Sequence, residues 1–214
     1  MNDIKAIIFD VDGTLLDSFE SNLAFIQKLM KAKKYRPPTR EEFLPLFHTS
    51  LWDVIKTLTK LTDDTEIQNI WDFARNNIAG FKTKPAVMPR GAEEAIKLLS
   101  GRYALGIATS RVKATLYEPP LAALRLYFKI AVVYEDTINH KPHPEPLLLA
   151  AEKLGVSPDE CIYIGDAETD MRASIAAGMC FIHFGSVPLA GANYSIQSFK
   201  ELPALIQSLS GRNI

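Results

Sequence analysis

The chain has 214 residues, 47% of them apolar and 23% charged, with a formal net charge of -1 at pH 7. That length accommodates one large α/β domain with an insert, or two small domains, and the near-neutral balance excludes bulk attraction to nucleic acid or to an anionic membrane surface. No window is long enough for a membrane span, and the apolar stretch near the N-terminus is too short for a secretory leader, so a cytoplasmic address is expected, with Cys161 and Cys180 as buried, reduced thiols.

In chain order, the first element is the apolar run Ile4 to Phe9, which ends in Asp10-Val11-Asp12-Gly13-Thr14. Such a run predicts a buried parallel strand that delivers carboxylates to the carboxyl edge of a sheet. Two carboxylates this close repel, and both stay ionised only beside a cation, unless one keeps its proton. A lone D-x-D-G also suits a surface turn. An EF-hand loop is excluded, because its glycine would come two positions later.

The pattern then turns helical. Phe19, Leu23, Ile26 and Met30 mark one amphipathic helix, and the basic residues Lys28, Lys31, Lys33, Lys34 and Arg36 complement the dipole near its end. Thr39 and Glu42 form a capping-box signature for a second helix. Leu51, Val54, Ile55 and Leu58 mark a third, with Ser50 as N-cap, and Ile67, Trp71, Ala74 and Ile78 a fourth. A helical domain over 17–85 is therefore expected, inserted into an α/β core built from 1–16 and 86–214.

From Pro89 onward, helices alternate with short apolar strands. Strands are predicted at Tyr103–Ala108, Ile130–Val133, Cys161–Ile164 and Cys180–His183. Helices are predicted at Ala92–Ser100, Glu145–Leu154 and Glu168–Ala177, closed by Gly101, Gly155 and Gly178. This βα alternation implies a doubly wound parallel sheet. Polar residues follow further strands: Thr109-Ser110 after the second, Lys141-Pro142 in the loop after the third, and Gly165-Asp166 through Asp170 after the fourth. All should converge on one crevice at the carboxyl edge.

Several carboxylates, a lysine and hydroxyls in one crevice suit a phosphate ester held by a hard cation. Mg²⁺ takes carboxylate oxygens and leaves positions for phosphate, which makes Asp10 and Asp166 its natural ligands. With the cation and Lys141 offsetting its charge, phosphate can approach a carboxylate, which becomes a usable nucleophile.

These segments, in this order and each at a strand end, strongly resemble the haloacid dehalogenase superfamily of phosphohydrolases, in its phosphoglycolate phosphatase and β-phosphoglucomutase-like branch. The resemblance spans nearly the whole chain. It implies a Rossmann-like core with the helical insert as a cap, a hydrolase of phosphate monoesters, and a small-molecule phosphate ester as substrate. It implies neither a nucleic-acid nor a membrane partner, and a monomer or small homo-oligomer. By that similarity Asp10 attacks phosphorus, while Asp12 protonates the leaving oxygen and later activates water. Asp10, the backbone carbonyl of Asp12, and Asp166 hold Mg²⁺, supported by Asp170, and Thr109, Ser110 and Lys141 bind the transferring phosphoryl group. His48, Thr49 and Ser50 fall where these phosphatases place a substrate-reading loop, so His48 and Ser50 are expected to set specificity.

The presence of Asp12 argues against dehalogenation, which has no alcohol leaving group to protonate. The alternatives are a phosphoglucomutase and a non-catalytic binding module on the same fold. Thr109 also reads as a helix cap and Asp170 as a first-turn acid. His140 and His143 have H-x-x-H spacing but a proline between them, and His143 is expected to shape the loop that aims Lys141 rather than to bind zinc. The chain departs from the branch at Phe47-His48-Thr49-Ser50, where a glycine is usual, and before Tyr127-Phe128, where another is missing.

Overall fold

The computed structural model describes residues 3–81 and 85–210. Their apolar runs form one parallel sheet of six strands: β1 (Ala6–Phe9), β2 (Ala104–Ala108), β3 (Ile130–Val132), β4 (Cys161–Gly165), β5 (Cys180–Phe184) and β6 (Tyr194–Ile196), in the order β3-β2-β1-β4-β5-β6. β1 is central, with Phe9 level with Ile107 on one side and Ile164 on the other. The strand order reverses on either side of β1, so the carboxyl ends of β1, β2 and β4 meet at the switch point where such sheets bind ligands.

Both faces of the sheet are covered, which is why its strands read as unbroken apolar runs. On one face Ala6, Ile8, Ala108, Tyr163 and Phe181 pack with Leu147, Ala150 and Ala151 of α6 (Glu145–Leu154) and with Ala173 and Ala177 of α7 (Glu168–Ala177). On the other, α5 (Ala92–Ser100) packs against β2 and against α8 (Leu202–Ser210). Gly155 and Gly178 end α6 and α7 in the left-handed conformation, at φ 70 and 76, which a β-carbon would penalise.

Three features depart from the sequence pattern. The crossover from β2 to β3 is two short 3₁₀ segments, Lys113–Thr115 and Leu121–Tyr127, separated by Pro119-Pro120, which lack the backbone donors a regular helix needs. β6 is a three-residue edge strand and α8 follows it; neither had been anticipated.

The chain divides into two compact units, Met1–Asp17 with Val87–Ile214, and Ser18–Ala86. Asp17 and Val87 exchange both backbone hydrogen bonds, at 2.8 and 3.2 Å, within the first unit. The second unit holds α1 (Phe19–Ala32), α2 (Arg40–Phe43), α3 (Leu51–Thr59) and α4 (Asp64–Asn76). Its interior is Leu23, Ile26 and Met30 from α1, Val54 and Ile55 from α3, and Ile67, Ile70, Trp71 and Ala74 from α4. Thr39 and Glu42 form the capping box, with Thr39 N–H donating to Glu42 Oε2 at 2.8 Å, but α2 is only four residues long and gives way to the 3₁₀ turn Leu44–Leu46 at Pro45. Ile78 lies beyond α4, in a further 3₁₀ turn. Among the described residues, no helix is long and apolar enough to cross a membrane.

Candidate active site

Asp10 follows the last residue of β1, and its N–H donates to Ile164 O at 2.9 Å, which fixes it beside the end of β4. Its side chain is carried inward with the sheet, leaving the residue 6% exposed. The chain then turns sharply: Gly13 N–H donates to Leu16 O and Leu16 N–H to Val11 O, both at 2.8 Å. Glycine suits this turn for two reasons. Its φ is 80, and a β-carbon there would overlap the Asp166 carboxylate. Thr14, fully buried, donates its hydroxyl to Asp166 Oδ1 at 3.2 Å.

The turn after β1, the loop before α6, the end of β4 and the first turn of α7 bring Asp10, Lys141, Asp166 and Asp170 together. Asp10, Asp166 and Asp170 each offer an oxygen, all within 4.8 Å of one another. Lys141 Nζ lies 2.6 Å from Asp170 Oδ1 and 3.0 Å from Asp10 Oδ1, with its side chain 6% exposed. It also donates to Tyr163 Oη at 3.0 Å. The Tyr163 hydroxyl stands 3.0 Å from Ala108 O and 3.2 Å from Asp170 Oδ1, and its single proton serves one of them at a time. Asp170 Oδ2 accepts from Ala167 N at 3.1 Å. Asp170 is thus occupied on both oxygens. Asp10 Oδ1 has the Lys141 ammonium at ion-pair distance.

Burial pushes the Asp10 carboxyl up to about 7, with the Asp170 and Asp12 charges adding to it and Lys141 opposing. One ammonium cannot offset burial and two like charges. Burial likewise raises Asp166, reinforced by Asp170 and Asp10. Burial works the other way on Lys141, but Asp10 and Asp170 outweigh it and hold the ammonium well above its ordinary range. The cluster therefore holds more negative charge than its lysine balances. A donor set of three close carboxylates facing one ammonium fits a hard divalent cation.

Asp12 faces elsewhere. Arg111 Nε donates to its Oδ2 at 2.7 Å and Nη2 to its Oδ1 at 2.9 Å, so its carboxylate lies outside the cluster and only its backbone is left to serve a cation. Thr109, 4% exposed, accepts from Arg111 N–H at 3.2 Å, and Ser110 between them is half-buried. His143 Nδ1 accepts from Glu145 N–H at the start of α6, and His140 stacks on Tyr134 at 3.9 Å. Neither joins the carboxylate cluster.

His48 and Ser50 lie in the second unit. Ser50 caps α3: its hydroxyl accepts from Asp53 N–H at 3.2 Å and donates to Asp53 Oδ2 at 2.7 Å. His48 is exposed, edge-on to Phe47.

Sequence reading gave no role to Arg111, Tyr163, Thr14 or His183. Tyr163 had a signal, a hydroxyl in the otherwise apolar strand Cys161-Ile162-Tyr163-Ile164. His183, within β5, is 5% exposed, and burial lowers its pKa against a hydrogen bond to the Asp166 backbone.

Residues 7–184 match the family model described as haloacid dehalogenase-like hydrolase. The chain is 31% identical over 179 residues to the pyrophosphatase PpaX of Bacillus pumilus, covering 82% of this chain and 80% of that protein. It is 33% identical over 181 residues to a phosphoglycolate phosphatase of Xylella fastidiosa, covering 82% and 77%. Among solved structures, a hydrolase of Geobacter sulfurreducens superposes with a TM-score of 0.68 at 32% identity, covering 95% of this chain and 96% of that one.

Proposed function

The chain belongs to the haloacid dehalogenase-like hydrolase family, and from that premise we propose that it is a Mg²⁺-dependent phosphatase acting on a small phosphate monoester, of the phosphoglycolate or sugar-phosphate type, through an aspartyl phosphate on Asp10. The observation that carries this reading is Asp10 itself: a carboxylate at the central strand's carboxyl end, buried, with the Lys141 ammonium 3.0 Å from its Oδ1. Relatives named as phosphatases and as a pyrophosphatase support the class of substrate.

Asp10, Asp166 and the backbone carbonyl of Asp12 would hold Mg²⁺, which when bound offsets the negative charge shared by the carboxylates and the phosphoryl oxygens. Lys141, Thr109 and Ser110 hold the phosphoryl group, with Lys141 kept in place by Asp170 and Tyr163. Asp10 attacks phosphorus; a P–O bond to its carboxylate forms as the ester P–O bond breaks, and Asp12 gives its proton to the departing oxygen. Asp12, now a carboxylate, takes a proton from the water that attacks the same phosphorus. The bond to Asp10 then breaks, and inorganic phosphate leaves.

The test is release of inorganic phosphate from phosphoglycolate, pyrophosphate, sugar phosphates and nucleotides, in Mg²⁺ and in EDTA. Turnover of at least one ester is expected in Mg²⁺ alone, abolished in Asp10→Asn. Equal activity in EDTA would remove the metal, and a tenth or more of the wild-type rate in Asp10→Asn would remove the nucleophile. Interconversion of sugar phosphates without phosphate release would make the enzyme a mutase.

A further inference from the structure

We infer that Arg111 is a positioning residue for catalysis, a rigid post that fixes the Asp12 carboxylate in the plane from which it exchanges its proton. The inference rests on the reading of Asp12 as the group that protonates the leaving oxygen. Asp12 sits in the turn after β1. Two parallel N–H donors, Nε at 2.7 Å and Nη2 at 2.9 Å, hold its carboxylate in one orientation, because a guanidinium fork meets both carboxylate oxygens in one plane.

The post is itself anchored. Arg111 N–H donates to Thr109 Oγ1 at 3.2 Å, its carbonyl accepts from Tyr134 N–H at 2.9 Å, and its Nη1 donates to Thr115 O at 3.0 Å. The side chain is 11% exposed. An arginine held at its backbone and at three of its nitrogens is not free to swing toward a substrate. Each carboxylate oxygen keeps a second lone pair outside the fork, and it is there that Asp12 carries the proton it exchanges. Thr109, placed at the end of β2 for phosphate, thereby also braces the residue that aims the proton donor.

A contact that aims Asp12 must matter only where Asp12 acts. Rapid-quench measurement of phosphoenzyme formation separates this from a general weakening of the site, using a poor leaving group (an alkyl phosphate) and a good one (p-nitrophenyl phosphate). Asp12→Ala should slow the first step on the alkyl phosphate by ~10²–10⁴-fold. Arg111→Ala should slow it by ~10–10²-fold, with a loss at least ~10-fold smaller on p-nitrophenyl phosphate. The double variant should be no slower than Asp12→Ala. Arg111→Lys keeps the charge without the fork, so it should recover thermal stability but not the alkyl phosphate rate, whereas millimolar guanidinium should restore the rate of Arg111→Ala.

Equal losses on both substrates, full additivity in the double variant, or full rescue by lysine would overturn the positioning role while leaving Asp12 in place. If Asp12→Ala shows no leaving-group dependence, both readings fall together. Should Arg111→Ala not fold, Arg111→Lys carries the same comparison: a leaving-group-dependent loss supports the inference and a uniform one overturns it.

Discussion

At the residue scale, Asp10 is held where its ionisation works against the fold. An ordinary aspartate with a pKa of 3.8 is raised here to about 7, burial being the largest cause. The folded state therefore binds the proton more tightly than the unfolded one. Its contribution to stability is complete below the ordinary value and is lost as pH rises through about 7. Asp10→Asn removes this loss. In EDTA its melting temperature should rise relative to wild type as pH increases from 3.8 to about 7, by ~2–4 °C for each kcal/mol. A relative fall over that range would show that Lys141 outweighs burial. Mg²⁺ should stabilise the wild type more than the variant at the alkaline end, since it binds the folded carboxylates only.

Gly13 offers a second check at this scale. Alanine would need a positive φ and would displace the Asp166 carboxylate, so Gly13→Ala should weaken Mg²⁺ binding by calorimetry and lower kcat/KM by ~10²-fold or more. Wild-type Mg²⁺ affinity would mean the turn relaxes. Asp10, Gly13, Lys141 and Asp166 were legible because they directly follow apolar runs or sit in short loops whose place the topology dictates. Arg111 was not. Spacing says nothing about a long side chain folding back across 99 residues to meet Asp12.

At the scale of elements, boundaries were readable wherever a glycine or a capping hydroxyl sets them. Gly155 and Gly178 close α6 and α7, and Ser50 opens α3. Ser50→Ala should accordingly lower unfolding stability by ~1 kcal/mol in urea. A change in substrate preference with no change in stability would instead show a hydroxyl free for substrate. β6 escaped notice because Tyr194-Ser195-Ile196 is too short to establish a period and lies at the sheet edge, with one neighbouring strand. The β2–β3 crossover escaped because Pro119-Pro120 interrupts any helical pattern. Within β4, Tyr163 ties the strand to Lys141, Asp170 and the last carbonyl of β2. Tyr163→Phe should remove ~1–3 kcal/mol by urea unfolding, because buried partners are left unsatisfied. A loss below ~0.5 kcal/mol, the lower end for a typical hydrogen bond, would mean that water replaces the hydroxyl.

At the scale of the whole molecule, the doubly wound sheet was legible as a class from the alternation of βα units, and its switch point explains why residues 10, 109, 141 and 166 share one edge. The two-rung pairing of Asp17 with Val87 carries a different kind of consequence. The chain leaves the first unit and re-enters it at two backbone-bonded neighbours, so the segment between them behaves as a cassette plugged into a closed socket. Replacing residues 18–86 with a tight two-residue turn would ask the sheet for no stretching, since hairpin turns span such paired ends. The shortened chain should remain a cooperatively melting α/β protein, and the same socket would receive an unrelated domain whose termini lie equally close together.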